Sequence, residues 1–244
     1  MTDWPQGYGL KRYAEIDSTN EEARRLAAAG ESGPLWLTAK RQTAGRGRRG
    51  RSWEMAGGNL AATLLLRPDR GQGEWAQLSF VTAIAAADMA ADFAIGARIA
   101  LKWPNDVLAD GKKLAGILLE TANGPSSALA IGVGINLAHH PDGTEFPATS
   151  LAALGARVPS ADDALAALAA GFAKWYEIWR DQGFVPIREA WLARAAGLGT
   201  RIRARLATEE RSGMFEGIDE NGALLLNEGF GRASILPAAD IFFR

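Results

Sequence analysis

Ser127-Ala128-Leu129-Ala130-Ile131-Gly132-Val133-Gly134-Ile135-Asn136-Leu137 alternates: odd positions from Leu129 to Leu137 are bulky and apolar, and the even ones are alanine, glycine or asparagine. A period of two is that of a β-strand with one face in a core and the other left open. An open face of glycine and alanine admits close approach by a ligand or another backbone. Just upstream, Val107-Leu108 and the run Lys113 to Thr121 flank a turn containing Asp110-Gly111, which is a hairpin signal. Arg98 to Trp103, Asn59 to Arg67 and Leu35 to Ala39 read as further strands.

Helical periods surround these strands. Ser18-Thr19-Asn20-Glu21 has capping-box spacing and opens a short helix that stops at Gly30. Trp75 to Phe93 is alanine-rich with few charges, as expected of a helix buried against a sheet. From Ser160 to Gly183, Leu165, Leu168, Phe172, Trp175 and Trp179 step by three and four, and a second helix runs from Pro186 to Ala196. After Gly197-Leu198-Gly199 the texture changes to short runs at Arg201 to Leu206, Gly213 to Ile218, Ala223 to Asn227 and Ala233 to Ile235, the pattern of a small barrel. The expected division is 1–196 and 197–244.

Composition narrows the function. Hydrophobic residues at 48% and charged ones at 23% exclude disordered, collagen-like and coiled-coil classes. A net charge of -1 excludes a whole-protein electrostatic footprint for nucleic acid or membrane. With no cysteine, disulfides, thiolate metal sites and cysteine nucleophiles are all removed, and the only histidines, His139 and His140, lack metal-site spacing, so no protein-held metal is expected. The charge-free stretch Thr121 to Pro141 is too interrupted to span a bilayer, and residues 1–12 lack a secretory pattern, which leaves the cytoplasm by elimination.

Gly45-Arg46-Gly47-Arg48-Arg49-Gly50-Arg51 satisfies G-x-G-x-x-G, but its context is wrong for a dinucleotide turn. Met55-Ala56-Gly57-Gly58 and then a strand follow, Leu65 stands where an acid is needed, and the Gly-Lys-Ser/Thr of a P-loop is missing. What remains is four arginines on a glycine-loosened backbone, flanked by Gln42-Thr43-Ala44 and Ser52-Trp53. Read alone, this is a solvated or nucleic-acid-binding loop; arginine forks on phosphate or carboxylate, with glycines that let the loop fold over a ligand, are the other reading.

Five blocks in order, Ser18-Thr19-Asn20, Gln42 to Arg51, Lys102-Trp103-Pro104-Asn105-Asp106, Lys113-Leu114-Ala115-Gly116-Ile117 and Gly132-Val133-Gly134-Ile135-Asn136, resemble those of the biotin protein ligases. The resemblance covers Tyr13 to Leu137, and the terminal barrel is also similar. Only twelve residues precede Tyr13, where the resemblance begins, which looks like the monofunctional branch without a DNA-binding domain. The fold implied is α/β (α+β): a central mixed, mostly antiparallel sheet flanked by helices, class II synthetase-like, with a C-terminal SH3-like β-barrel. The activity implied has two steps. Biotin and ATP, with Mg²⁺, give biotinyl-5'-AMP, and a lysine of a biotin carboxyl carrier protein then takes the biotinyl group. Because biotin's own carboxylate attacks, no enzyme nucleophile is needed.

Matched position by position, the resemblance makes Lys113 and Arg48 the catalytic cations. Ser18, Thr19, Asn20, Gln42, Gly45, Arg46, Gly47, Arg48, Lys113, Gly116, Gly132 and Gly134 are implied around biotin. Arg46, Arg48, Arg49, Arg51, Trp53, Lys102, Asn105, Asp106, Lys113 and Asn136 are implied around ATP. Blander roles stay open for several: a helix cap for Ser18, a strand-edge surface charge for Lys113, a core position for Trp53, and a plain turn for Asn105-Asp106. A homodimer and no DNA partner are expected. The rivals are a lipoate or octanoate attachment enzyme of the same fold and a nucleic-acid-binding module built on the arginine loop.

Overall fold

The computed structural model describes residues 3–31, 33–53, 57–122, 127–229 and 233–243. Met55 and Ala56 of the connection after the arginine run, and the outer ends of the two expected domains, lie outside the described residues. Seven strands form the main sheet: β1 (Gly9–Ile16), β2 (Leu35–Gln42), β3 (Leu60–Leu66), β4 (Ile99–Lys102), β5 (Asp106–Ala109), β6 (Lys112–Ala122) and β7 (Ala128–Ile135). Their order is β1-β2-β3-β7-β6-β5-β4. β1 and β2 run parallel and every other neighbouring pair is antiparallel, so the sheet is mixed and mostly antiparallel, as expected.

The alternation in β7 has a direct structural cause. The strand is central, paired along its length with β3 on one side and β6 on the other. Its odd residues enter the large core with Trp36, Leu60 and Leu64 and with helices α2 (Leu78–Phe93), α3 (Ala161–Gln182) and α4 (Phe184–Leu192). Ala128 and Ala130 face the other way, against Ala23 and Ala27 of α1 (Thr19–Ala28). α2 is apolar on all sides because it lies between the sheet and α3, where a Cβ at Gly171 would already stand in van der Waals contact with Ala85. Beyond the small patch under α1, the second face of β7 opens into a cavity.

Two expectations need correction. β1 was not foreseen as a strand: Gly-Leu-Lys-Arg-Tyr-Ala-Glu-Ile is half-exposed at the sheet edge, pairs only with β2, and so carries no buried alternation. The capping box does not form. Ser18 holds the N-cap position with extended backbone (φ −155°, ψ 135°) but makes no side-chain cap bond, and the Glu21 carboxylate goes to Arg46 and Arg24 while Ser18 N–H donates to Asp17. At Asp110-Gly111 both residues have positive φ, 48° and 76°, and the expected hairpin joins β5 to β6.

The C-terminal strands β8 (Arg201–Arg205), β9 (Glu210–Ile218), β10 (Leu224–Asn227), β11 (Ser234–Leu236) and β12 (Asp240–Phe243) form an antiparallel sheet in the order β11-β10-β9-β8-β12. Ile202, Phe215, Leu224 and Ile241 continue the large core, and the Trp103 indole donates to the Gly222 carbonyl at 2.9 Å. β12 was not anticipated; it pairs with β8 and carries Asp240 to the cavity rim.

Candidate active site

A cavity of about 460 Å³ lies between the open face of β6 and β7, the arginine loop, the segment 141–148 and β12. Ser18, Thr19, Asn20, Gln42, Arg46, Gly47, Arg48, Arg51, Trp53, Lys102, Asn105, Asp106, Lys113, Gly116, Gly132, Gly134 and Asn136 line it. Gly45 and Arg49 do not. Gly45 closes the loop's base, its carbonyl accepting from Trp53 N–H at 3.0 Å, and Arg49, at φ 55°, turns out to reach Asp240 at 3.1 Å.

One end is a compact polar box. Thr19 donates to Gln42 Oε1 through both its N–H (2.8 Å) and its hydroxyl (3.0 Å). The hydroxyl of Thr63, fully buried, reaches Thr19 Oγ1 at 2.8 Å and Asn20 Oδ1 at 2.6 Å, and Asn20 Nδ2 donates to Glu120 at 2.8 Å. These contacts fix the amides before any ligand arrives. A Cβ on Gly132 would overlap the Asn20 amide, and one on Gly134 would overlap the Trp53 indole. Thus the glycines admit protein side chains, which in turn shape the cavity. Gly132→Ala is expected to destabilise the fold by about 1–3 kcal/mol through overpacking. Thermal unfolding checks this; an unchanged melting temperature would mean that Asn20 has another place to go.

Cations gather at the other end. A register shift between β5 and β6 frees the Lys113 backbone to pair with the chain after β7: its N–H donates to Pro147 O (2.8 Å) and its carbonyl accepts from Thr149 N–H (2.9 Å). Lys113 Nζ then meets Asp106 Oδ1 at 2.7 Å. Lys102 is buried, with Nζ 3.7 Å from the Phe146 ring centroid. Burial brings its pKa down to about 8 against the pull of Asp106. Asn136 donates to Thr149 O at 3.0 Å, and its Oδ1 is buried with no partner, an acceptor that a ligand N–H would satisfy. Behind it, Asn59 Oδ1 accepts from the N–H groups of Leu137, Ala138 and His139, each at 3.0 Å, and so clamps the turn that places Asn136.

Each loop arginine has an acidic neighbour. Arg46 bonds Glu21 and lies 3.6 Å from Glu120. Arg48 donates to Asn105 Oδ1 (3.1 Å) and lies 3.8 Å from Asp240; Arg49 and Arg51 reach the same carboxylate at 3.1 and 3.3 Å. Burial pushes the Asp240 carboxyl upward, but Arg51, Arg49, Arg48 and Arg205 together outweigh it and hold the pKa below the usual range. Asp240, Glu120, Thr63 and Asn59 were missed by the sequence reading. Among the described residues no group of three His, Asp or Glu side chains could hold a metal, and no helix is long and apolar enough to cross a membrane.

Residues 14–136 match the Biotin/lipoate A/B protein ligase family, and residues 197–244 match the Biotin protein ligase C terminal domain. The chain is 50% identical over 239 residues to the biotin--[acetyl-CoA-carboxylase] ligase of Paracoccus denitrificans, covering 94% of this chain and 98% of that one. It is 36% identical to the bifunctional ligase/repressor BirA of Bacillus subtilis, across 95% of this chain and 73% of the relative. A biotin protein ligase from Aquifex aeolicus, solved in complex with biotin and ATP, superposes with a TM-score of 0.82 at 26% identity, covering 97% of this chain and 98% of that one. Matched through both of its sheets and half identical to one such ligase, this chain belongs to the biotin/lipoate A/B protein ligase family, among its biotin protein ligases.

Proposed function

We propose that this chain activates biotin with ATP to biotinyl-5'-AMP and transfers the biotinyl group to one lysine of a biotin carboxyl carrier protein. The observation that carries this reading is the cavity's polarity: a box of fixed amides and hydroxyls at one end, the buried Lys102 with Arg48 and Arg51 at the other, and Lys113 beside the glycine face between them. A cyclic urea needs both donors and acceptors, which Ser18, Thr19 and Gln42 offer; a dithiolane would leave them unpaired. In the first step a biotin carboxylate oxygen bonds to the α-phosphorus while the bond to the β-phosphate oxygen breaks and pyrophosphate leaves. Two anions must meet, so Lys113, Lys102, Arg48 and Arg51 supply opposing charge and hold both reactants in line. In the second step the carrier amine, having lost a proton, attacks the acyl carbon and AMP departs.

Asn136 Oδ1 is assigned to the nucleotide base and Trp53 to its flank, while Asn20 acts through its fixed bonds to Thr63 and Glu120. Mg²⁺ fits as an ion carried in on the nucleotide, where it would neutralise phosphate charge; of the carboxylates lining the cavity, Asp106 is paired with Lys113, and Asp240 and Glu145 with arginines. Cytoplasmic location, where ATP is supplied, belongs to this proposal, as do a homodimer, the absence of a DNA partner and the division at residue 197.

The reading is tested by mass spectrometry of a purified carrier domain incubated with this protein, biotin and MgATP. One biotinyl group per carrier is expected, and none with lipoate. An unmodified carrier in the biotin reaction would overturn it. A pH effect follows from Lys102. The ammonium loses its proton as pH rises through about 8, and a polyphosphate favours the charged form, so ATP binding should take up protons near that pH. Titration calorimetry in buffers of different ionisation enthalpy checks this, and Lys102→Met should abolish the uptake.

A further inference from the structure

Arg205 is not part of the cavity wall, yet its guanidinium grips three residues that are. It forms a fork on Glu145, with Nη1 and Nη2 donating at 2.6 and 2.8 Å. Its Nη2 lies 3.6 Å from Asp240, and its Cζ lies 4.8 Å from the Phe242 ring centroid. Glu145 belongs to the segment after β7, whereas Asp240 and Phe242 belong to β12, so one side chain of β8 ties two separate pieces of wall together. Both pieces touch the cations that face the cavity. Phe146, next to Glu145, lies 3.7 Å from Lys102 Nζ, and Phe242 lies 5.6 Å from it on the β12 side. Asp240 holds Arg48, Arg49 and Arg51.

We propose that Arg205 is a positioning residue for the nucleotide end of the cavity: it locks the segment 141–148 to β12 and so sets Lys102 and the loop arginines at the spacing a triphosphate needs. The proposal rests on the ATP reading given above. Its second role is electrostatic. When phosphates draw Arg48 and Arg51 toward the cavity, Arg205 remains beside Asp240 and keeps that carboxylate neutralised, so it does not repel the nucleotide. An exposed ion pair adds little to folding stability, and the fork's effect should therefore appear in nucleotide binding and not in melting. Lysine cannot reproduce a planar fork but retains a charge near Asp240.

The test uses the full chain with Arg205→Ala, Arg205→Lys and Glu145→Gln, measuring pyrophosphate release against ATP and against biotin, with thermal unfolding alongside. The KM for ATP is expected to rise roughly five-fold or more in Arg205→Ala, with the KM for biotin and the melting temperature unchanged. Arg205→Lys should fall between wild type and alanine, and Glu145→Gln combined with Arg205→Ala should be no worse than Arg205→Ala alone. An unchanged KM for ATP, or equal rises in both KM values with a lowered melting temperature, would overturn the assignment. If wild type itself releases no pyrophosphate from biotin and ATP, the ATP reading has failed instead, which separates the two outcomes.

Discussion

Lys113→Ala is expected to slow adenylate formation by roughly thirty- to a thousand-fold, the equivalent of losing a cation worth on the order of 2 to 4 kcal/mol in a water-poor site. The structure places the effect toward the upper end. Lys113 Nζ neutralises Asp106 at 2.7 Å, so alanine both removes a positive charge and exposes a carboxylate where the triphosphate must lie. Adding Asp106→Asn to Lys113→Ala should therefore recover part of the lost rate, although Asp106→Asn alone should be harmful. Lys113 is partly exposed, and its backbone contacts to Pro147 and Thr149 survive the substitution, so melting should barely move. Pyrophosphate release under saturating biotin and ATP is the measurement. Wild-type release in the mutant would reduce Lys113 to a surface charge.

Where the sequence speaks clearly, it does so through local periodicity. β7 was legible because it is central: β3 and β6 pair both of its edges, the helical core buries one face, and the other must stay small to admit Asn20 and Trp53. The hairpin at Asp110-Gly111 is decided within a few residues and was equally readable, as was the helix α3 from its apolar steps of three and four. β1 has no such signal, since an edge strand with one partner tolerates lysine, arginine and glutamate. Parts of the site resist for a different reason. Asp240 meets Arg49 across 191 positions of chain, and Glu120 meets Asn20 across 100, so nothing local marks either acid as part of a cavity.

That distance changes how the arginine run is understood. From sequence, four like charges on three glycines have little reason to settle without a ligand; in the fold, Glu21, Glu120 and Asp240 supply the counter-charge from three separate elements. Three carboxylates set against four arginines leave the loop little net charge with which to attract an extended polyanion. The loop is well disposed to act as a cover that exchanges carboxylate for phosphate when a nucleotide arrives. Arg48 is the member best placed to make that exchange. Its side chain is the least exposed of the four, burial lowers its pKa, and it faces Asn105 across the cavity mouth.

Arg48→Gly should accordingly harm retention of the intermediate more than its synthesis. Glycine removes the bond to Asn105 and the charge 3.8 Å from Asp240, while Arg49 and Arg51 keep the loop tethered and the Lys113–Asp106 pair is untouched. A lost charged hydrogen bond of roughly 1.5 to 3 kcal/mol corresponds to release that is about ten- to a hundred-fold faster. Biotinyl-adenylate is an activated anhydride, so a protein with no covalent intermediate must hold it until the carrier lysine arrives. Released early, it acylates whatever amine it meets or is hydrolysed. Wild type and Arg48→Gly are each incubated with albumin, biotin and MgATP, and the albumin is then blotted with streptavidin. Strong labelling by the mutant alone is expected, with its pyrophosphate release still measurable. Should the mutant make adenylate yet label albumin no more than wild type does, Arg48 is not the lid, and the cover must be assigned to the remaining arginines or to the segment 141–148.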